Sequence, residues 1–202
     1  LRAALDYWSN FEASGKMFVK DKKKFLNAAH LINTCTKFFS EVKRNPIFLD
    51  RRVLRIHDTV LVEQKFSIKI METDDYELYL QGTLDKIVRC LQNGNVALDD
   101  WKTTTAWDAD EYFESYKMSL QLRLYIWALY YLCKQNPDKE FARTIWPNKE
   151  LRIPAYIYGV FLTSSGAEFK RSYEMKYTAK DMDEFETMLF NECHRFLNAV
   201  RS

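Results

Sequence analysis

An Asn-Gly pair between two runs of strand-forming residues is the feature that most constrains the fold of this chain. The runs extend from Lys86 to Leu91 and from Val96 to Trp101, with Gln92-Asn93-Gly94-Asn95 between them. Asn-Gly is the strongest short-range hairpin signal, because both residues tolerate the positive φ angles of a tight turn. The sequence therefore predicts that these two strands are antiparallel neighbours.

Other patterns indicate a mixed α/β (α+β) domain. Apolar and polar side chains alternate from Val60 to Ile70 and again from Tyr76 to Leu84, which predicts two further strands. The remaining predicted elements are helices over residues 1–45, from about Tyr112 to Leu132 and from Thr178 onward, a loop-like segment over residues 134–154, and strands over Ala155–Thr163 and Glu168–Met175. Since the chain has 202 residues, we expect a single domain over residues 1–202.

Charge and cysteine placement exclude several classes of protein. With 30 basic and 28 acidic residues the net charge is +2, so nucleic-acid binding would have to come from a local patch. The four cysteines are far apart in the sequence and lack a histidine at metal-ligand spacing: Cys35, Cys90, Cys133 and Cys193. We therefore expect reduced thiols in a cytosol-like compartment, and neither a structural zinc site nor an iron–sulfur cluster. No apolar run approaches the ~20 residues that cross a bilayer, so no membrane association is expected.

Two carboxylates lie at the ends of the hairpin strands. Asp85 precedes the first strand and Asp100 lies near the end of the second, so the hairpin brings them to neighbouring strands. Carboxylate oxygens suit a hard cation such as Mg²⁺, and the backbone carbonyl of Trp101 could add another ligand. Lys102 follows Asp100 by two residues and so projects from the same face of the strand. Asp-x-Lys alone usually marks a surface ion pair, but with Asp85 it predicts a site for phosphate chemistry.

Gln121 and Tyr125 are one helical turn apart and share a face of the predicted helix. Taken alone, this spacing is typical of a tyrosine packed against the core beside a partly exposed glutamine. After the two carboxylates, it also fits a second layer of contacts to a substrate phosphate or to Lys102.

Together these residues resemble the PD-(D/E)XK nuclease superfamily in its RecB-like branch, which includes exonuclease V-type and many phage or bacterial nucleases. The motifs that carry the resemblance are Gly82-x-x-Asp85, Asp100-x-Lys102-Thr103 and Gln121-x-x-x-Tyr125. The resemblance extends over residues from about 60 to 130. It implies a restriction-endonuclease-like core, in which a central mixed sheet is flanked by helices.

The resemblance also implies metal-dependent hydrolysis of DNA with Mg²⁺ or Mn²⁺. Asp85 and Asp100 would be metal ligands and Lys102 the catalytic lysine, while substrate contacts would come from Thr103 and the helix motif of Gln121 and Tyr125. The iron–sulfur cysteines of some relatives are missing, so no cluster is expected. The implied setting is the cytoplasm of a bacterial or phage-infected cell, with partner domains or subunits in a larger protein.

Two further residues are candidates for the metal site. Relatives often carry a glutamate on the strand before Gly-x-x-Asp, and Glu63 occupies such a position, although an exposed glutamate paired with a lysine explains it equally well. His30 lies on the predicted first helix, where a ligand would complete the site, but a histidine among apolar neighbours is more often structural. Because the chain begins at Leu1, we also expect that it could be a fragment without an upstream motif helix.

Three functions remain open at this point. The first is a deoxyribonuclease that acts as an exonuclease or single-strand endonuclease on single- or double-stranded DNA. The second is a catalytically incomplete domain that binds nucleic acid or partners in a replication or repair assembly. The third is an RNA endonuclease with the same core, which only contacts to the 2′-hydroxyl would distinguish. Lys86, Arg89 and Arg123 would either steer the nucleic-acid backbone or be ordinary surface charges.

Overall fold

The computed structural model of this chain describes residues 28–146 and 153–201. The helices are α1 (Ala28–Glu41), α2 (Pro46–Leu49), α3 (Ala109–Glu114), α4 (Leu120–Gln135), α5 (Glu140–Ile145) and α6 (Ala179–Arg201). The strands are β1 (Arg51–Val53), β2 (Arg55–Ile56), β3 (Thr59–Val60), β4 (Val62–Glu72), β5 (Glu77–Cys90), β6 (Val96–Thr104), β7 (Ala155–Thr163) and β8 (Gly166–Arg171). None of the helices in these two ranges is long and apolar enough to cross a membrane.

Six of the strands form a curled central sheet in the order β1-β5-β6-β7-β8, with β4 also paired to β5. Neighbouring strands are antiparallel except for β6 and β7, which run parallel. A parallel pair needs a long crossover, and here α3, α4 and α5 lie in the connection between β6 and β7. The predicted central mixed sheet flanked by helices is therefore confirmed.

The predicted hairpin is also confirmed, but its first strand is much longer than expected. Arg89 pairs with Val96 next to the turn, where Gly94 has the positive φ of 73° that glycine allows. The two strands predicted on either side of Asp85 are one continuous strand, β5. Asp85 does not interrupt that strand, because its carboxylate is itself hydrogen-bonded to the neighbouring strand.

The alternation predicted from Val60 to Ile70 is wrong at its beginning. Leu61 is buried, whereas Val60 and Val62 are exposed. Glu63 has a φ of 51°, which reverses the direction in which the preceding side chains point. The predicted alternation holds only from Phe66 onward, where every second side chain is buried.

The helical predictions also need correction. The helix expected from Tyr112 to Leu132 is divided into α3 and α4, because the Ser119 hydroxyl caps the new helix by accepting a hydrogen bond from the Leu122 amide. The loop-like segment contains α5, which has six residues and is too short for a periodic pattern to reveal. Within residues 28–45 the predicted first helix ends at Glu41; its first 27 residues lie outside the described part of the chain.

Helices lie on both sides of the sheet. On one face α1 and α2 bring Phe38 and Phe48 against Trp101, with ring centroids 5.7 and 5.9 Å apart. On the other side α4 packs against α6, where Trp127 Nε1 donates a hydrogen bond to Glu186 at 2.9 Å. This contact holds α4 in place and, with it, the helix motif predicted to contact substrate.

Candidate active site

The site begins where β5 and β6 separate. The last residues paired between the two strands are Lys86 and Asp99. The next residue on each strand is an aspartate, Asp85 on β5 and Asp100 on β6. Asp85 Oδ2 accepts a hydrogen bond from the Trp101 amide at 2.8 Å, so a side chain takes the place of the missing backbone partner. The parting strands thus hold two carboxylates at one fork.

Asp100 and Lys102 form an ion pair on one face of β6. Lys102 Nζ lies 2.8 Å from Asp100 Oδ2, and the side chains are 24% and 1% exposed, respectively. Burial raises the pKa of Asp100; the charge of Asp85 adds to this shift, and Lys102 opposes it. Burial acts to lower the pKa of Lys102, but its contact with Asp100 outweighs burial and leaves this pKa raised. The lysine therefore stays charged while it remains partly open to solvent.

The oxygen atoms at the fork fit a hard divalent cation. Both Asp100 oxygens are buried; among the described residues, Oδ2 contacts the Lys102 ammonium group and Oδ1 has no hydrogen-bond partner. An N–H and a C=O of one strand residue point to the same edge, so the Trp101 carbonyl is directed toward β5, as its amide is. No group of three histidine, cysteine, aspartate or glutamate residues within residues 28–146 and 153–201 could hold a metal ion. The protein would thus supply two carboxylates, and water and substrate would complete the shell, as is usual for Mg²⁺.

Glu63 and His30 lie apart from this ion pair. In the register of β4 and β5, Glu63 falls opposite Asp85, but its backbone bends away from regular pairing there and its side chain is exposed. His30 is buried on α1, and its Nε2 lies 2.6 Å from the carbonyl oxygen of Thr163 at the end of β7. In the part of the chain that the structure describes, neither residue builds a three-ligand cluster with Asp85 and Asp100.

The side of β6 that carries Lys102 includes Thr104 rather than Thr103. Side chains alternate along a strand, so the exposed Thr103 points to the opposite face. Thr104 Oγ1 accepts a hydrogen bond from the Ala106 amide at 3.0 Å, which holds the chain as it leaves the strand. Thr103 could therefore contact a substrate only on the face of β6 opposite Lys102.

Two tyrosines that the sequence analysis missed lie beside the ion pair. Tyr112 on α3 and Tyr116 just after it have hydroxyl oxygens 3.1 Å apart. Burial raises the pKa of Tyr112, and the charge of Asp100 contributes to this shift. Tyr116 contributes in the same direction to the pKa of Lys102, which it helps to raise. Their spacing of four residues on a predicted helix, soon after Asp-x-Lys, was a signal that could have found them.

The predicted helix motif forms an internal contact. Gln121 Nε2 donates a hydrogen bond to the Tyr125 hydroxyl at 2.8 Å, and Tyr125 is buried. The Tyr125 ring packs edge-on against Phe66, with centroids 6.3 Å apart. A Cβ atom on Gly82 would lie only 2.6 Å from Phe66 Cζ. Glycine at this motif position therefore makes room for the ring that links β4 to the helix motif.

The basic residues near the site are engaged in structural contacts. Arg89 donates to the Gly94 carbonyl oxygen at 2.7 Å, and an Arg123 guanidinium nitrogen lies 3.4 Å from Met118 Sδ. Lys86 is part of a buried group of charges around Asp99. These contacts favour a structural role for all three over the steering of nucleic acid.

That buried group surrounds Asp99, on the face of β6 opposite Asp100. Arg51 Nη1 lies 3.0 Å from Asp99 Oδ1, and Lys86 Nζ lies 3.8 Å from Asp99 Oδ2. Burial raises the pKa of Asp99 to about 6, against the opposing charges of Arg51 and Lys86. Two consecutive buried aspartates thus have different surroundings: Asp100 lies at the fork, and Asp99 lies between Arg51 and Lys86 on the opposite face.

Comparison with known proteins agrees with this geometry. A model of the PD-(D/E)XK nuclease superfamily matches residues 9–201. A search of curated proteins found no match. Among solved structures, the crystal structure of SSO0001 matches this chain at 13% sequence identity. The match covers 91% of this chain and 70% of the SSO0001 chain, with a TM-score of 0.33. A likeness at this TM-score does not establish a shared fold. Since the family model covers nearly the whole chain, the protein belongs to the PD-(D/E)XK nuclease superfamily.

Proposed function

We propose that this protein is a Mg²⁺- or Mn²⁺-dependent deoxyribonuclease of the RecB-like type, acting as an exonuclease or single-strand endonuclease. The observation that carries the proposal is the Lys102–Asp100 ion pair beside Asp85, at the point where β5 and β6 part. Membership in a nuclease superfamily supports the same class of reaction. We further propose that one domain, over residues 1–202, carries the activity.

In this proposal the metal ligands are Asp85, Asp100 and the Trp101 carbonyl. A divalent cation bound there would polarise the scissile phosphate and lower the pKa of a water molecule. Lys102 contributes a positive charge that stabilises the negative charge developing on the phosphate oxygens. Because it already lies against Asp100, little reorganisation is needed to keep its ammonium group at the site.

Gln121 and Tyr125 are proposed to line the substrate side of this site. The hydrogen bond between them leaves the second Gln121 Nε2 proton and the amide oxygen for other partners. A phosphate oxygen could accept that proton. Tyr125 then acts mainly by holding the glutamine in position, because its ring is buried against Phe66.

The decisive experiment is cleavage of end-labelled single- and double-stranded DNA and of RNA, with Mg²⁺, Mn²⁺ or EDTA. We expect the chain to cut DNA only when metal is present, and Lys102→Ala to lower the rate roughly 10²–10³-fold, as removal of one charge-stabilising group does elsewhere. Lys69→Ala is the matched control, because Lys69 is also ion-paired but lies exposed on β4. Full activity of Lys102→Ala would refute the proposed site.

A second candidate function is a catalytically incomplete domain that binds nucleic acid or partner proteins. It is favoured by one observation: among the described residues, no third histidine, cysteine, aspartate or glutamate joins the two carboxylates. Calorimetric titration with Mg²⁺ and Mn²⁺ distinguishes the two candidates. Saturable binding that disappears in Asp100→Asn supports the nuclease, whereas DNA binding without any metal binding supports the incomplete domain.

A further inference from the structure

Trp107 is the most exposed of the large apolar side chains in the described part of the chain, with its whole side chain in solvent. It lies between β6, which carries Asp100 and Lys102, and α3. A fully exposed tryptophan buries no apolar surface, so the fold gains nothing from it. Single exposed apolar side chains are common on protein surfaces, so a binding role for Trp107 depends on where it lies in the fold.

The backbone is held on both sides of Trp107. Before it, Thr104 Oγ1 accepts a hydrogen bond from the Ala106 amide at 3.0 Å. After it, Asp108 Oδ1 caps α3 by accepting from the amides of Asp110 and Glu111 at 2.8 and 3.1 Å. The indole is thus presented from a segment whose ends are fixed to the strand and to the helix.

Trp107 is close in sequence to the residues of the fork. It follows Lys102 by five residues, so their Cα atoms are separated by at most about 18 Å even if the segment is fully extended. Its neighbours Asp108, Asp110 and Glu111 are acidic and would repel backbone phosphate. The face of a nucleobase is therefore the part of a nucleic acid that suits this position.

We propose that Trp107 stacks on an unpaired nucleobase of the substrate, within a few nucleotides of the scissile phosphate. Stacking requires a base whose face is accessible, so the preferred substrate is a single strand or a frayed duplex end. Trp107 would accept any of the four bases, because every base has a π-face. This inference rests on the proposed nuclease function and defines the class of its substrate.

The test is the binding of a fluorescent single-stranded oligonucleotide in EDTA, followed by anisotropy with the full chain. We expect Trp107→Ala to weaken binding about 5- to 100-fold, the range for the loss of one base–aromatic stack, and Trp107→Phe to restore most of the affinity. The control is Phe196→Ala, since Phe196 is 61% exposed on α6, and it should bind as the unmodified chain does. Because Trp107 contacts no phosphate in this proposal, the salt dependence of binding should be unchanged in Trp107→Ala.

Binding in EDTA separates this proposal from that of catalysis. Equal affinities of Trp107→Ala and the unmodified chain would overturn the stacking role and leave the cleavage result untouched. A loss of the same size for a blunt duplex would also overturn it, because the bases of a duplex are already stacked. Trp107-dependent binding by a chain that cuts no nucleic acid would support stacking and refute catalysis. No binding to any oligonucleotide in EDTA would overturn the stacking role, while cleavage with metal would still decide the proposed catalysis.

Discussion

Lys102 Nζ lies 2.8 Å from Asp100 Oδ2, although Asp100 is almost completely buried, and Asp100 Oδ1 has no hydrogen-bond partner within the described residues. A carboxylate in such surroundings is destabilising unless a cation compensates it. Lys102 is more exposed than Asp100 and can turn toward water if its partner is lost. The folded state therefore needs Lys102 to compensate the charge of Asp100 more than it needs Asp100 to compensate Lys102.

This asymmetry predicts different stabilities for two variants of the proposed site. Lys102→Met leaves the Asp100 carboxylate buried without its cation, and we expect it to lower the free energy of unfolding by about 1–3 kcal/mol. Asp100→Asn removes the buried charge and frees a lysine that can reach solvent. It should therefore lower the free energy of unfolding by less than Lys102→Met does, or even raise it. Urea unfolding at pH 7 measures both. Equal destabilisation by the two substitutions would contradict this account of the pair.

Metal binding should stabilise the folded protein through the same carboxylate. We expect the melting temperature to rise with Mg²⁺ or Mn²⁺ concentration, since a ligand at 100 times its Kd adds about 2.7 kcal/mol to the free energy of unfolding. EDTA should reverse the rise. Asp85→Asn and Asp100→Asn should abolish it, while Asp74→Asn, in the exposed turn between β4 and β5, should keep it. An equal rise in all of these proteins would place the metal elsewhere.

Gly82→Ala tests the packing behind the helix motif. The new Cβ atom would lie 2.6–2.7 Å from two atoms of the Phe66 ring, which is itself packed against Tyr125. We expect a loss of about 1–3 kcal/mol in the free energy of unfolding, as in other overpacked cores. In a Phe66→Leu background, Gly82→Ala should lower the free energy of unfolding by clearly less. A double-mutant cycle without coupling between the two sites would show that the ring and the glycine do not constrain each other.

The first turn of α6 predicts a dependence of stability on pH. Asp181 Oδ2 accepts hydrogen bonds from the amide and the hydroxyl of Thr178, each at 2.7 Å, and these bonds lower the pKa of Asp181. Because the folded state has the lower pKa, this stabilisation is present above the unfolded pKa of about 3.9 and is lost as pH falls through the folded pKa.

Asp181→Asn should therefore be less stable than the unmodified chain at pH 7, and the difference should shrink as pH falls below about 4. Chemical denaturation across this pH range makes the comparison, and an NMR titration of Asp181 gives its folded pKa directly. A difference in stability that stays constant with pH would mean that the ionised carboxylate contributes nothing to the cap.

Local patterns predicted the parts of this structure that depend on neighbours in sequence. The hairpin at Gly94 follows from turn chemistry, β7 has the predicted bounds Ala155–Thr163, and the capping of α6 follows from the spacing of Thr178 and Asp181. The family match confirms the superfamily to which the motifs pointed. The RecB-like branch and the roles of Asp85, Asp100 and Lys102 stay predictions.

What the sequence could not reveal depends on contacts between distant residues. Asp99 and Asp100 look alike in sequence, and the approach of Arg51 from β1 to Asp99 is a contact between residues far apart in the chain. The reversal at Glu63 likewise has no local turn signal, because glutamate is not a residue that favours positive φ. Tyr112 gains its place beside Asp100 only after the predicted long helix is divided, which the hydrophobic pattern alone did not indicate.

The charges around Asp99 have a consequence for how the chain reaches its active form. A strand that slips by one residue turns every side chain to the opposite face, so a slipped β6 would offer Asp99 at the fork and direct Lys102 away from it. That error would also deprive Arg51 of its buried carboxylate, at a cost of several kcal/mol. The contact between Arg51 and Asp99 therefore favours the alignment of β6 that leaves Asp100, the proposed metal ligand, at the fork.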